Sequence, residues 1–188
     1  MTDPDSQLIA QARAGDKAAF GELVNHYYEM VYAVALGVVN QRETARDVAQ
    51  NVFIKVFREI NRFEGKSKFK TWLYRIAVNA AIDESRRVRR TDSLDMTDAS
   101  DDDDKKPLVI TDPKPGPLES ASVSERGEKV REALEQLSPD HRAVLVLREW
   151  QDASYDEIAE ALGIEIGTVM SRLFYARKKL GEILAGKI

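Results

Sequence analysis

Apolar residues recur at intervals of three and four along several stretches of the chain. In the longest of them one apolar face continues for more than five turns of a helix: Phe20, Leu23, Val24, Tyr27, Val31, Val34, Ala35 and Val38. Asp16 precedes this stretch and is positioned to cap it. The same spacing predicts three further helices, over 6–14, 43–60 and 70–89. No stretch alternates with a period of two, so we predict no β-sheet.

The apolar periodicity stops between residues 91 and 124. That segment contains four of the six prolines and the acidic run Asp101–Asp104, which predicts a flexible acidic linker. Beyond it, helices are predicted over 125–136, 139–150, 155–162 and 167–183. We therefore expect an all-α protein with two small helical domains, 1–90 and 125–188, joined by a linker over 91–124.

The composition excludes several classes of protein. The chain has no cysteine, which excludes disulfides, thiolate metal sites and thiol catalysis, and its two histidines, His26 and His141, are too isolated to suggest a metal site. No combination of nucleophile and base, and no glycine-rich phosphate loop, is visible. We predict neither an enzyme nor a cofactor. The polar opening and the short apolar runs predict a cytoplasmic protein without membrane insertion.

The net charge of −4 hides an uneven distribution. Residues 66–90 carry eight basic and two acidic side chains, and residues 167–181 carry four basic side chains and no acid. Residues 91–128 between them carry eleven acids and four bases. Two basic stretches around an acidic one predict two surfaces for polyanions, joined by a segment that repels them.

The segment SYDEIAEALGIEIGTVMSRLFYARKKL has the pattern of a helix-turn-helix, and the C-terminal domain is expected to be one. Ala159 is small where two helices cross, Gly163 falls at the turn, and Val169 faces the core. The second helix would place its N-terminal turns in the major groove and expose polar and basic side chains to a duplex. The alternative is an ordinary helical pair with a solvated face, and the absence of acids from residues 167–181 favours DNA.

With these residues in view, nearly the whole chain resembles the extracytoplasmic-function sigma factors. The stretch LSPDHRAVLVLREWQDASYDEIAEALGIEIGTVMSRLFYARKKL is similar to the family's reader of the minus-35 promoter element. The resemblance assigns the following residues to that element: Thr168, Ser171, Arg172, Phe174, Tyr175, Lys178 and Lys179. Met170 and Tyr175 stand where many members carry basic residues, which predicts fewer phosphate or guanine contacts.

The stretch DVAQNVFIKVF resembles the helix with which sigma factors bind the clamp of the RNA polymerase β′ subunit. The residues assigned to core polymerase are Asp47, Gln50, Asn51, Ile54 and Lys55. The first four are spaced by three, four and seven from Asp47 and therefore share one helix face. Asn51 replaces the glutamate most common in the family. Without the resemblance, an ordinary solvated polar stripe would be the simpler interpretation.

The stretch FEGKSKFKTWLYRIAVNAAIDESRR is similar to the family's region that opens and reads the minus-ten element. The residues assigned to this DNA are Lys66, Lys68, Lys70, Trp72, Arg75, Asn79, Arg86 and Arg87. Trp72 matches the family's strand-opening wedge, since unpaired bases stack on aromatic planes. The alternative is that the aromatic residues here are core; we predict this for Phe69, with Leu73, and not for Trp72. Arg86, Arg87, Arg89 and Arg90 predict contact with the DNA backbone.

The resemblance also implies partners and a role. The expected partners are core RNA polymerase, through its β′ clamp and β flap, promoter DNA, and an anti-sigma factor. The free chain is expected to be a monomer that acts in a stress or envelope response. The main alternative is a polymerase-independent helix-turn-helix activator or repressor, which would bind duplex by itself, usually as a dimer. A module that binds only proteins is a third possibility, and the basic recognition helix disfavours it.

Overall fold

Helices make up the regular secondary structure of the described chain, as the sequence predicts. The computed structural model describes residues 5–95, 127 and 129–186, so most of the predicted linker lies outside the described residues. Residues 5–95 form the N-terminal unit, whose elements are α1 (Ser6–Arg13), α2 (Lys17–Val39), α3 (Arg42–Glu59), a 3-10 turn (Ile60–Arg62) and α4 (Phe69–Asp95). Within the described ranges, no helix combines the length and the apolar content that crossing a bilayer requires.

The ends of α2 follow from two side chains. The carboxylate of Asp16 accepts hydrogen bonds from the backbone N–H groups of Ala18 and Ala19 at 2.8 and 3.2 Å, which confirms the predicted N-cap. At the other end Asn40 has a left-handed backbone with φ of 64°, a conformation that asparagine adopts more readily than most residues. The chain reverses there, and α3 packs against α2.

Helix α4 is buried on more than one side. It packs against α2 and α3 of its own unit and against α6 (Pro139–Leu145) and α7 (Tyr155–Leu162) of the C-terminal unit. Tyr74, Val78 and Ala81 are buried as well as Leu73 and Ala77. The helix also continues six residues past the predicted end. No glycine or proline occurs between Gly65 and Pro107, so each added residue gains a hydrogen bond with nothing to end the helix.

The C-terminal unit contains α5 (129–135), α6 (Pro139–Leu145), a π-helical turn (Val146–Trp150), α7 (Tyr155–Leu162) and α8 (Ile166–Gly186). Ser138 caps α6 ahead of Pro139. Ser154 and Glu157 form the predicted capping box of α7, with hydrogen bonds of 3.2 and 3.0 Å. Gly163 turns the chain between α7 and α8 with φ of 63°. The predicted helix-turn-helix therefore forms, with its caps.

The two units pack against each other, which the sequence analysis did not predict. Buried apolar side chains from both units belong to one continuous cluster. Asn40 donates hydrogen bonds to the Arg131 carbonyl at 3.0 Å and to the Glu135 carboxylate at 2.8 Å. Arg142, only 2% exposed, donates to the hydroxyl of Ser85 at 2.9 Å. Apolar packing and these hydrogen bonds therefore join the two units.

Candidate nucleic-acid and polymerase interfaces

The polar side chains assigned to the minus-ten element lie in the loop over residues 63–68 and along α4. All seven of these polar side chains are exposed: Lys66, Lys68, Lys70, Arg75, Asn79, Arg86 and Arg87. The loop turns at Gly65, whose φ of 71° suits glycine. Three of the cations have neighbours within the unit, since Lys66 pairs with Glu64, Arg87 with Glu84, and the Lys70 ammonium lies 5.4 Å from the Tyr74 ring centroid. The side chains of Arg89 and Arg90 lie outside the described residues.

Trp72 lies in the core, so the prediction that it stands outside the core is wrong. Its side chain is 8% exposed, and its ring centroid is 5.4 Å from that of Phe63 and 5.6 Å from that of Phe69. Aromatic rings at such distances bury large apolar areas against one another. Phe69 and Leu73 are buried, as predicted. A role for Trp72 at unpaired DNA therefore requires its ring to leave this cluster.

A cleft of about 430 Å³ brings residues of three predicted sites together. Lys55 was assigned to polymerase, Asn79 and Arg86 to the minus-ten element, and Arg172 to the minus-35 element, and all of them line this cleft with Asp140. The two oxygens of Asp140 accept hydrogen bonds from Arg86 at 3.0 Å and from Arg172 at 3.4 Å. Sequence reasoning missed this role of Asp140, because an acid in the first turn of a helix is ordinarily explained by the helix dipole.

Glu157 makes a second contact of this kind. Its carboxylate accepts a hydrogen bond from the Lys68 ammonium at 3.0 Å, in addition to its bond from the backbone of Ser154. The Ser154 bond first, and the lysine after it, lower the pKa of Glu157 below its ordinary value of 4.5. Glu157 is therefore ionised at neutral pH, and its charge offsets that of a predicted DNA-binding lysine.

Tyr74 is buried on α4, within electrostatic reach of Glu157 in the C-terminal unit. Burial, and then the charge of Glu157, raise the pKa of the Tyr74 hydroxyl far above its usual value. The hydroxyl oxygen has no hydrogen-bond partner among the described residues. Tyr74 therefore stays neutral and contributes mainly apolar packing to α4.

The recognition helix α8 presents two faces. Val169, Leu173 and Ala176 are buried, as predicted. The opposite face carries all seven residues assigned to the minus-35 element. Five are exposed and two are half-buried: Ser171, Phe174, Tyr175, Lys178 and Lys179, then Thr168 and Arg172. The hydroxyl of Ser171 donates to the Thr168 carbonyl at 3.1 Å, within the helix. Apart from Thr168 and Arg172, the residues assigned to this face are exposed.

An apolar groove of about 740 Å³ runs between α2 and α3. Asp47, Gln50 and Ile54 line it, so the structure brings together three of the five residues assigned to polymerase. Asn51 is exposed outside the groove, and Lys55 points to the cleft around Asp140 instead. Sequence reasoning missed Phe57, which is exposed in the groove three residues after Ile54. Its spacing from Ile54 was the available signal.

Two family models match the chain. The model described as Sigma-70 region 2 matches residues 23–91, and the one described as Sigma-70, region 4 matches residues 127–180. The first covers most of the N-terminal unit, and the second covers the helix-turn-helix. The residues between the two matches correspond to the predicted linker.

Relatives match over nearly the full length. The chain is 35% identical to the RNA polymerase sigma-H factor of Pseudomonas aeruginosa over 183 residues, which cover 97% of this chain and 94% of the relative. It is 35% identical to the ECF RNA polymerase sigma-E factor of Escherichia coli, over 94% of this chain and 92% of the relative.

Solved structures show the same fold. The structure of CnrH in complex with the cytosolic domain of CnrY is similar at a TM-score of 0.71 and 26% identity, over 99% of this chain and 100% of that one. The sigma factor RpoE of Bartonella quintana, in complex with the anti-sigma factor NepR, is similar at a TM-score of 0.66 and 25% identity, over 88% and 96% of the two chains.

Proposed function

This chain belongs to the extracytoplasmic-function sigma factors of RNA polymerase, and on that basis we propose how its surfaces divide the work of promoter-directed transcription initiation. The α2–α3 groove grips the clamp of the polymerase β′ subunit, and the C-terminal unit contacts the β flap. The loop over residues 63–68 and α4 bind the minus-ten element. Helix α8 reads the minus-35 element. The chain acts in the cytoplasm, where polymerase and promoter DNA are. It is a monomer when free of its partners.

The observation that carries this proposal is the combination of the apolar α2–α3 groove with two cationic surfaces, one on each unit. The groove leaves Ile54 and Phe57 open to a partner, and apolar side chains exposed side by side mark protein interfaces. A partner helix fits such a groove by inserting apolar side chains. A dimeric regulator would instead cover this groove with a second copy of the chain, so the oligomeric state of the free chain separates the two functions.

An anti-sigma factor is the second partner that we propose. The support is the similarity of the whole chain, both units included, to CnrH, which was solved with the cytosolic domain of CnrY. RpoE, solved with NepR, supports the same partner class. Such a partner would hold the chain away from polymerase until an inducing signal, as in a stress or envelope response.

Transcription in vitro tests the proposed function. Purified core polymerase, the full chain and a pool of promoter fragments should give discrete start sites that neither protein gives alone. Binding of duplex by the free chain as a dimer, without any start site, would instead identify the polymerase-independent regulator.

A matched pair of isoleucines tests the groove. Ile54 and Ile166 are both 43% exposed, and only Ile54 lines the groove. We expect Ile54→Ala to weaken the affinity for core polymerase at least about ten-fold, because buried apolar anchors dominate such interfaces. Ile166→Ala should leave that affinity nearly unchanged. Equal losses from the two variants would contradict the assignment of the groove to polymerase.

A further inference from the structure

Three of the cations assigned to DNA are bound by acids of the C-terminal unit. Asp140 binds Arg86 and Arg172, and Glu157 binds Lys68. Arg86 and Lys68 belong to the minus-ten surface, and Arg172 belongs to the minus-35 surface. Each of these cations donates to one carboxylate oxygen, as it would donate to one phosphate oxygen of DNA. The two acids therefore occupy places that DNA phosphates would need.

Gly37 shows that close approach of the units is built into α2. A β-carbon at this position would overlap the side chain of Val146 and come within 2.6 Å of a ring carbon of Trp150. These nearest atoms all belong to the π-helical turn of the other unit. Glycine disfavours a helix interior relative to alanine, so the helix by itself gives no reason for a glycine here. The contact with the C-terminal unit does.

We propose that the free chain holds itself in a closed state, in which its two DNA-reading units pack together and Asp140 and Glu157 mask their cations. The restraint of promoter binding rests on the proposed function, whereas the packing of the two units does not. Exposed ion pairs contribute little to stability, so the apolar contact around Gly37 and the shared apolar cluster hold the state. The masking acids lower the affinity for stray DNA.

Two glycines of α2 give a matched test of the closed state. Gly37→Ala places a methyl group in the contact, whereas Gly21→Ala places one in open space. Both changes favour the helix equally, so only the first should separate the units. The side chains of Val146 and Trp150 can shift to admit the methyl group of alanine. Gly37→Leu is therefore a second variant, whose larger side chain they cannot admit in the same way.

The readout is a distance within the free chain. Because the chain has no cysteine, spin labels can be attached at Glu22→Cys and Glu160→Cys, two exposed positions on different units. We expect one narrow distance distribution in the parent and in Gly21→Ala, and a longer, broader one in Gly37→Ala or Gly37→Leu. Circular dichroism checks that the helices persist. If both Gly37 variants keep the parent distribution, the closed state is not held as proposed.

DNA binding by the same free chains tests the masking. Because the closed state predominates in the parent chain, the Gly37 variants that open it should bind a promoter fragment at low salt at least about five-fold more tightly than the parent does. The double variant Asp140→Asn with Glu157→Gln should give a similar gain and a steeper salt dependence, because released cations gain phosphate contacts. Opening without any gain in affinity would overturn the masking. Failure of the parent chain to direct polymerase to a start site would overturn the proposed function instead. The distance measurement uses the free chain, so it tests the closed state whatever polymerase does.

Discussion

Leu173 and Phe174 are consecutive residues of α8 that face opposite environments, since Leu173 is 1% exposed and Phe174 is 62% exposed. Truncation of a buried leucine leaves a cavity, so Leu173→Ala should cost about 2–5 kcal/mol of unfolding free energy. Phe174→Ala should change stability by less than about 0.5 kcal/mol. Urea denaturation of both variants measures the difference.

Phe174→Ala should instead weaken binding to the minus-35 element. The exposed ring lies on the face of α8 that we assign to DNA, where apolar groups contact the thymine methyl group. Affinity of the polymerase complex for a promoter fragment, compared with the parent chain, measures this effect. An unchanged affinity would remove Phe174 from the DNA interface.

Trp72→Ala should destabilise the N-terminal unit by about 3–5 kcal/mol, because it empties an aromatic cluster that Phe63 and Phe69 share. Thermal or urea denaturation measures it. Trp72→Phe retains a ring in the cluster and should cost less. A test of promoter opening therefore needs both variants, at a temperature where both are folded. A Trp72→Ala chain as stable as the parent would contradict the burial of this ring.

Ser154→Ala should lower the unfolding free energy by about 1 kcal/mol, the usual cost of removing a serine N-cap. The hydroxyl of Ser154 accepts the backbone N–H of Glu157 at 3.2 Å, and alanine cannot. Ser171→Ala is the control, since its exposed hydroxyl only donates to a carbonyl of its own helix. Denaturant titration of both variants should show a loss for Ser154→Ala alone, and equal losses would argue against the cap.

Glu157 predicts a pH dependence with a definite sign. Its pKa is lowered in the folded chain, so the ionised form contributes stability above the ordinary value of 4.5, and this contribution disappears as the pH falls through the lower folded value. Relative to Glu157→Gln, the parent chain should be more stable at neutral pH and should lose that advantage below 4.5. Unfolding free energies from pH 7 to pH 3 measure the difference.

Substitution of Lys68 separates the two causes that lower the pKa of Glu157. The backbone bond from Ser154 is the larger cause, so Lys68→Met should raise the carboxyl pKa of Glu157 only part of the way toward its ordinary value. An NMR titration of the Glu157 carboxyl in both chains measures this. A complete return to the ordinary value would mean that the lysine, not the cap, controls the carboxylate.

Helix positions and caps could be predicted because their causes are local. Asp16, Ser154 and Gly163 act on residues within four positions along the chain, and each has the predicted role. The buried face of α8 follows in the same way from the helical period. The end of α4 differed because no local signal ends it.

The burial of Trp72 could not be predicted from the residues near it in the chain. Its position on α4 is compatible with either an exposed or a buried ring, because α4 is covered on more than one side. Phe63 and Phe69 close the cluster around it from the preceding loop and the start of the helix. Which aromatic residues stay outside depends on distances across the fold.

The sequence by itself determined the helices, their caps, the two cationic surfaces and the exposed face of α3, because spacing and charge along a chain dictate these. Only the tertiary structure decided that Asp140 lies between Arg86 and Arg172, and that Gly37 receives the side chains of Val146 and Trp150. The physical reason is that these contacts join residues more than thirty positions apart. Their geometry depends on how whole helices pack, and helical periodicity carries no information about that.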